Sequence, residues 1–189
     1  GFGVSVMKYN SEKWELVGSR GFTSGSAFDT SLVADGHRLF VVYENAAHMA
    51  SAMSFDFVSE EWVPAGDVFS GDQAYGIAAA AENGGFYAAY QEFNGPIYVK
   101  KYAGSGWVSV GASSVTPGKA SNPSLTVHDG VPYVVYEDSA SGGKLSAMKY
   151  GAFNSPPKAK HVNIEGTLRV GETVSGSYSY EDDEHDEEG

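Results

Sequence analysis

The chain has 189 residues, no cysteine and a formal net charge of -12. Without cysteine it has no disulfide framework and no thiolate nucleophile or metal ligand. The acidic balance argues against nucleic acid as a partner, because phosphate binding requires clustered lysine and arginine. No apolar stretch is long enough to cross a bilayer, so membrane insertion is not expected.

The first 18 residues predict two short strands, the second of which begins at a tryptophan. Trp14 follows Tyr9 by five residues, and Gly18 follows Trp14 by four. The same spacing recurs twice, in Phe57, Trp62 and Gly66 and in Tyr102, Trp107 and Gly111. We therefore expect each tryptophan to mark the outer strand of a repeating unit.

A hairpin pattern is also repeated along the chain. Thr30 to Tyr43 reads TSLVADGHRLFVVY, and Asp-Gly between apolar runs is a strong hairpin signal. Similar hairpins turn at Asn83-Gly84-Gly85 and at Asp129-Gly130, and the closing tyrosines Tyr43, Tyr90 and Tyr136 fall 47 and 46 residues apart. A helix over 77–82 would suit the alanines of the second copy, but register with the other copies favours a strand.

Four strands per unit at this period are typical of propeller blades. The hairpins are apolar on both faces, as strands between two stacked sheets should be. The predicted fold is all-β, a partial β-propeller of about three four-stranded antiparallel blades. A closed ring usually has four to eight blades. We therefore expect a piece of a longer propeller; the alternative is self-association through the open blade faces.

The C-terminal part of the chain changes character. The prolines of Ser155-Pro156-Pro157 predict a stiff linker, so we place the propeller blades in residues 1–154 and a second segment in residues 155–189. Alternation at Val162 and Ile164, then at Leu168 and Val170, predicts two short strands around Glu165-Gly166. A third strand is predicted from Thr173 to Tyr180, before the acidic end EDDEHDEEG.

Two stretches carry a family resemblance. SLTVHDGVPYVVYED followed by GGKLSAMKY, together with the spaced Trp-x-x-Val-Gly, resembles the propeller repeats of large bacterial cell-surface proteins. IEGTLRVGETVSGSYSYEDDEHDEEG resembles the first strands of bacterial Ig-like repeats. The resemblance implies an incomplete Ig-like segment at the C-terminus and an extracellular or cell-surface location in a bacterium.

Carboxylates follow the closing aromatic residue of each second strand. They are Glu44, Glu92, Glu137 and Asp138. Paired carboxylates can act as acid and base in glycoside cleavage. The alternative is that they are solvated residues that hold a loop through bonds to backbone amides. We favour the second interpretation, because no spacing singles out two unlike partners.

The repeated tryptophans are the second group of candidate ligand contacts. An indole once per blade suits stacking on the apolar face of a sugar ring. The alternative is that Trp14, Trp62 and Trp107 lock each outer strand onto its sheet, and we favour packing.

The histidines and the acidic end complete the candidates. His37, His48, His128, His161 and His185 show no metal-ligand spacing, and we expect structural or surface roles. Glu181 to Glu188 contains seven carboxylates and one histidine. Calcium accepts oxygen ligands from such loops, so Asp182, Asp183, Asp186 and Glu188 are its candidate ligands, whereas disorder is the favoured alternative.

The predicted function is a non-catalytic extracellular module for adhesion or display, with a glycan or protein ligand. No nucleophile elbow, P-loop or dinucleotide motif occurs, so we predict no enzyme and no cofactor, calcium apart. The alternatives are part of a propeller glycosidase or polysaccharide lyase, or a purely structural spacer.

Overall fold

A computed structural model of the chain describes residues 2–36, 38–111, 114–150, 158–165 and 175–181. The chain divides into two compact units, Gly1–Tyr150 and Gly151–Gly189. The predicted boundary between residues 154 and 155 lies outside the described residues, so the two-domain assignment stays a prediction.

The described residues of the first unit form antiparallel sheets. A two-stranded sheet pairs β1 (Met7–Tyr9) with β2 (Trp14–Leu16). The next sheet contains, in order, β3 (Phe28–Asp35), β4 (Arg38–Glu44), β5 (Ala50–Asp56) and β6 (Glu61–Pro64). A second four-stranded sheet contains β7 (Ala74–Glu82), β8 (Gly85–Glu92), β9 (Ile97–Tyr102) and β10 (Trp107–Ser109). The last contains β11 (Ala120–His128), β12 (Val131–Asp138) and β13 (Lys144–Lys149).

This architecture confirms the predicted all-β fold of antiparallel propeller blades. Within the described residues, each strand pairs with the next strand of its own sheet, as in a meander, and these sheets do not close into a ring. The alanine-rich stretch over 77–82 lies in β7, as the register with the other copies predicted. Self-association through the open faces stays a prediction.

Apolar side chains on both faces of each hairpin hold neighbouring blades together. Val41 and Met53 pack with Val17 of the preceding copy. Phe40 and Val42, on the other face of β4, pack with Phe86 and Ala88 of the next blade. A third cluster joins β7–β10 to β11–β13 through Tyr87, Ala89, Ile97, Val99, Val134 and Tyr136. Stacking of the sheets therefore buries these side chains. Both faces of the hairpins are apolar because sheets pack against both faces.

The tryptophans also join one blade to the next. The indole Nε1 of Trp62 donates to the backbone oxygen of Val17 at 2.8 Å. The Nε1 of Trp107 donates to the backbone oxygen of Ala65, also at 2.8 Å. Each acceptor lies three residues after the preceding tryptophan, so this bond is part of the repeat.

The innermost strand of each blade is interrupted at the same place. β3, β7 and β11 each contain an irregularity close to their first residues. A residue with positive φ lies there, namely Asp29 (40°), Gly76 (59°) or Asn122 (53°). Asp, Gly and Asn tolerate this conformation better than other residues, which accounts for the residue types at the aligned positions.

The second unit is described as one hairpin. β14 (Lys158–Glu165) pairs antiparallel with β15 (Ser175–Glu181). The predicted strand around Leu168 and Val170 lies outside the described residues. The Ig-like assignment stays a prediction.

Candidate functional site

One end of the sheets gathers most of the predicted carboxylates. There β4, β8 and β12 end and the inner strands β3, β7 and β11 begin; we call this end the loop rim. The strand register places Phe28 opposite Glu44, Tyr75 opposite Gln91, and Ser121 opposite Glu137. These pairs occupy equivalent positions in the three copies, so their differences reflect side chains and loops rather than topology.

Glu44 is the buried carboxylate of the loop rim. Its exposed fraction is only 3%, and its Oε1 contacts Nδ1 of His48, four residues later. The imidazole is more open, with 44% of its side chain exposed. A buried carboxylate requires a polar partner, since an unpaired charge in an apolar environment is costly. His48 supplies that partner and connects Glu44 to the surface.

The loop between β4 and β5 holds His48 in place through Asn45. The Oδ1 of Asn45 accepts from the backbone nitrogens of Ala47 (2.8 Å) and Met49 (3.1 Å), and its Nδ2 donates to Ser51 Oγ. His48 has a φ of 62°, in the left-handed region. Asparagine favours such turns because its side chain replaces missing backbone partners. The loop sequence ENAAHM therefore places the imidazole of His48 in contact with Glu44.

Aromatic rings flank His48 on the same rim. The imidazole lies 5.7 Å from the Phe28 ring and 6.2 Å from the Tyr75 ring, measured between centroids. Phe93 continues the series at 6.1 Å from Tyr75. Phe28 and Phe93 are 46% and 57% exposed. The rings therefore form a partly exposed aromatic row, Phe28–His48–Tyr75–Phe93, that reaches across two blades.

A second carboxylate lies beside this row. Asp29 follows Phe28, the register partner of Glu44, so Asp29 and Glu44 lie on neighbouring strands at the same end of one sheet. Its Oδ2 accepts from the backbone nitrogen of Gly76 in the next blade at 2.9 Å. This bond fixes one oxygen of an exposed carboxylate.

The other predicted carboxylates have separate partners. Glu92 Oε1 accepts from the backbone nitrogen of Gly71 at 3.0 Å. Glu137 is exposed, and its Oε2 accepts from Ser121 Oγ. Asp138 accepts from Ser141 Oγ and from the backbone nitrogen of Ala140, both at 2.9 Å. These bonds, that of Ser141 first, lower the pKa of Asp138.

The tryptophans lie in different surroundings. Trp62 is only 8% exposed and stacks on Phe22 at 4.5 Å. Trp107 is half-buried and stacks on Phe69 at 4.6 Å. Trp14, by contrast, is 63% exposed. The structure does not bring the three together with the aromatic row, and their contact with a ligand stays a prediction.

A cleft lies beside the same loop. Its volume is about 410 Å³, and Tyr43, Asn45, Ser51 and Met53 are among its lining residues. Burial raises the pKa of the Tyr43 hydroxyl. Asn45 therefore supports His48 and also contributes to this cleft.

The predicted calcium ligands Asp182, Asp183, Asp186 and Glu188 lie outside the described residues. A calcium site there stays a prediction. Within the described part of the chain, no helix has the length and apolar character required to span a membrane.

The sequence does not predict three features of the site: the His48 contact, the position of Asp29 and the aromatic row. The sequence predicts a structural or surface role for His48, because it matches no metal-ligand spacing. The sequence signal for its contact with Glu44 is local: His48 lies four residues after Glu44, in a loop that begins with asparagine. The alignment of Asp29 with Gly76 and Asn122 would have indicated a left-handed residue at a strand irregularity.

Comparisons with known proteins identify similar folds. No family model and no curated protein matches the sequence. A GH43 endo-arabinanase from Bacillus licheniformis has 15% identity and a TM-score of 0.44, with 97% of this chain and 88% of that chain covered. A GH43B protein of a Bacteroides ovatus xyloglucan PUL has 16% identity and a TM-score of 0.45, with coverages of 86% and 42%. The Aleuria aurantia lectin has 16% identity and a TM-score of 0.48, with coverages of 91% and 62%.

These comparisons correct two predictions. The sequence predicts a non-catalytic adhesion or display module and no enzyme. Both predictions are wrong by this comparison, because the similar structures include GH43 enzymes, a sialidase, a trans-sialidase and an arabinofuranosidase. The glycosidase alternative stays a proposal. At these TM-scores and identities the likeness identifies neither a substrate nor a catalytic residue, and the bacterial surface context stays a prediction.

Proposed function

We propose that this chain is part of a carbohydrate-active β-propeller that cleaves glycosidic bonds at the loop rim. The observation that carries the proposal is Glu44, a carboxylate that is 3% exposed and held by His48 next to exposed aromatic rings. A positioned carboxyl group can donate a proton to the leaving oxygen of a glycoside. Phe28 and Phe93 supply apolar faces against which sugar rings can pack.

Glycoside cleavage also requires a second carboxylate. Asp29 is our candidate, because it lies at the same end of the sheet as Glu44 and its Oδ2 is fixed by Gly76. Its environment differs from that of Glu44, since Asp29 is exposed and Glu44 is buried. Unlike environments are what an acid and a base require. In this proposal Glu44 donates a proton to the leaving oxygen, Asp29 accepts a proton from the attacking water, and His48 positions Glu44.

The charge of the chain favours a neutral glycan as substrate. The formal net charge is -12, and the loop rim carries Asp29, Glu44 and Glu92. An anionic sugar would be repelled by these groups. Arabinan and xyloglucan, which appear in the names of similar structures, are therefore the first substrates to test.

The test is release of reducing ends from neutral polysaccharides by the full chain. We expect Glu44→Gln and Asp29→Asn each to lower the rate by about 100-fold or more. Glu137→Gln is the matched control, because Glu137 occupies the equivalent repeat position, and it should retain the wild-type rate. Equal rates for Glu44→Gln and wild type, or no cleavage of any neutral polysaccharide, would contradict the proposal.

A further inference from the structure

Three metal-ligating side chains converge at the end of the sheets opposite the loop rim. Glu82 ends β7, His128 ends β11, and Asp129 follows in the hairpin turn. One ligand atom from each side chain lies within 4.8 Å of the others. The cluster therefore joins two neighbouring blades at their turns.

Glu82 is already oriented by the backbone of the next blade. The backbone nitrogen of Gly130 donates to its Oε2 at 2.7 Å. A hydrogen bond of this kind to a ligating carboxylate fixes its direction and supports metal binding. The bond occupies one oxygen, and the second oxygen of the carboxylate can face a cation.

The equivalent junction, between the blades β3–β6 and β7–β10, differs from this one in its charged residues. There the Asp35 carboxylate accepts from the backbone nitrogen of Gly84, which is the equivalent contact. Arg38, the register partner of Asp35, donates from its guanidinium to the backbone oxygen of Gly84, so a cation is fixed at this junction. The register partner of Glu82 is Gly85. The second junction thus lacks the arginine of the first.

The carboxylates of the second junction have no lysine or arginine partner in the described part of the chain. Their ion-pair partner is the imidazole of His128, whose Nε2 lies 3.4 Å from Asp129 Oδ2. His128 stands at the repeat position that holds Asp35 and Glu82 in the earlier copies. The third copy therefore adds an imidazole where the others have carboxylates.

We propose that Glu82, His128 and Asp129 bind a divalent transition-metal ion of the zinc type between the second and third blades. One imidazole and two carboxylates suit Zn²⁺, which often takes three protein ligands and one water. Calcium prefers an all-oxygen set of six to eight ligands, which this cluster does not supply. The ion would link the hairpin turns of two blades and supply the positive charge that Arg38 contributes at the first junction.

The experiment is calorimetric titration of the full chain with ZnCl₂ after treatment with EDTA, with CaCl₂ in parallel. We expect tight Zn²⁺ binding and much weaker Ca²⁺ binding at this site. His128→Gln and Glu82→Gln should each weaken Zn²⁺ binding by about 100-fold. Glutamine at position 82 can still accept the hydrogen bond from Gly130, so Glu82→Gln removes the charge while it keeps the contact between the blades.

The acidic end of the chain is the competing source of metal binding, and His185→Gln is the control for it. Tight binding that persists in His185→Gln and disappears in His128→Gln supports the proposal. Unchanged binding in His128→Gln, loss of binding in His185→Gln, or equal affinity for Ca²⁺ and Zn²⁺ would overturn it. Circular dichroism of each variant verifies that the fold is retained.

Discussion

The blade β3–β6 and the sheet β11–β13 have similar hairpin sequences and different surroundings. β4 reads RLFVVYE and β12 reads VPYVVYED. Val42 is fully buried in the first, whereas Val135, at the equivalent position, is 41% exposed. Val42 packs against the next blade. The difference shows that the repeat sequence determines the strand, whereas a neighbouring sheet determines the burial.

The carboxylates at the ends of these two strands differ in the same way. Glu44 is buried against His48, whereas Glu137 is exposed and bonded to Ser121. The loops that follow are also different: one contains Asn45 and His48, and the other a short 3₁₀ turn capped by Asp138. The loops rather than the strands therefore determine the surroundings of each carboxylate, as loops do in many folds.

The largest expected contrast is between two tryptophans of the repeat. Trp62→Ala removes a buried ring and a hydrogen bond between blades, and should lower the free energy of unfolding by about 3–5 kcal/mol. Trp14→Ala, at an exposed position, should cost less than about 1 kcal/mol. Urea unfolding of both variants measures the difference. Equal losses would mean that Trp14 packs as Trp62 does.

The equivalent residues Val42 and Val135 directly test how much a neighbouring sheet contributes to stability. Val42→Ala should lower the free energy of unfolding by about 2 kcal/mol, because it leaves a gap between two blades. Val135→Ala should cost less than about 1 kcal/mol, since its side chain is only partly buried. Denaturant midpoints at constant m-value report both numbers. A larger loss for Val135→Ala would indicate that another surface covers β12.

A third contrast concerns two asparagines that each bond two backbone nitrogens. Asn45 is partly buried in the β4–β5 loop, whereas Asn10 is exposed in the β1–β2 turn. Asn45→Ala should cost about 1–2 kcal/mol and Asn10→Ala about 0.5 kcal/mol. Asn45→Ala should also displace His48, which the imidazole NMR signals will show. An unchanged His48 signal would show that Asn45 does not hold the imidazole in place.

The smallest expected effect is a pH dependence at Asp138. Bonds from Ser141 and Ala140 lower its pKa in the folded chain, so folding favours the ionised form. This stabilisation is complete above the unfolded pKa of about 4 and is lost as the pH falls through the folded value. Asp138→Asn should therefore lie below wild type in stability at neutral pH and approach it in acid. A stability difference between Asp138→Asn and wild type that stays constant across the pH range would contradict this explanation.

The repeat spacing predicted much of the fold. The tyrosines and tryptophans at fixed intervals identified the strands, and the Asp-Gly and Asn-Gly-Gly turns located the hairpins. The site was harder to predict, because the contact between Glu44 and His48 depends on the path of one loop. The aromatic row depends on stacking Tyr75 of one blade beside His48 of another. The first contact has only a local signal, the loop residues Asn45 and His48 after Glu44, and no spacing in the sequence indicates the second.

The most direct measurement is NMR titration of the Glu44→Gln chain with a neutral oligosaccharide, which binds without being cleaved. Binding at the loop rim should shift the side-chain signals of Phe28, His48 and Phe93 and leave the signals of Trp14 unchanged. Shifts at Trp14 with the aromatic row unaffected, or no shifts at all, would contradict the assignment of the loop rim as the glycan site.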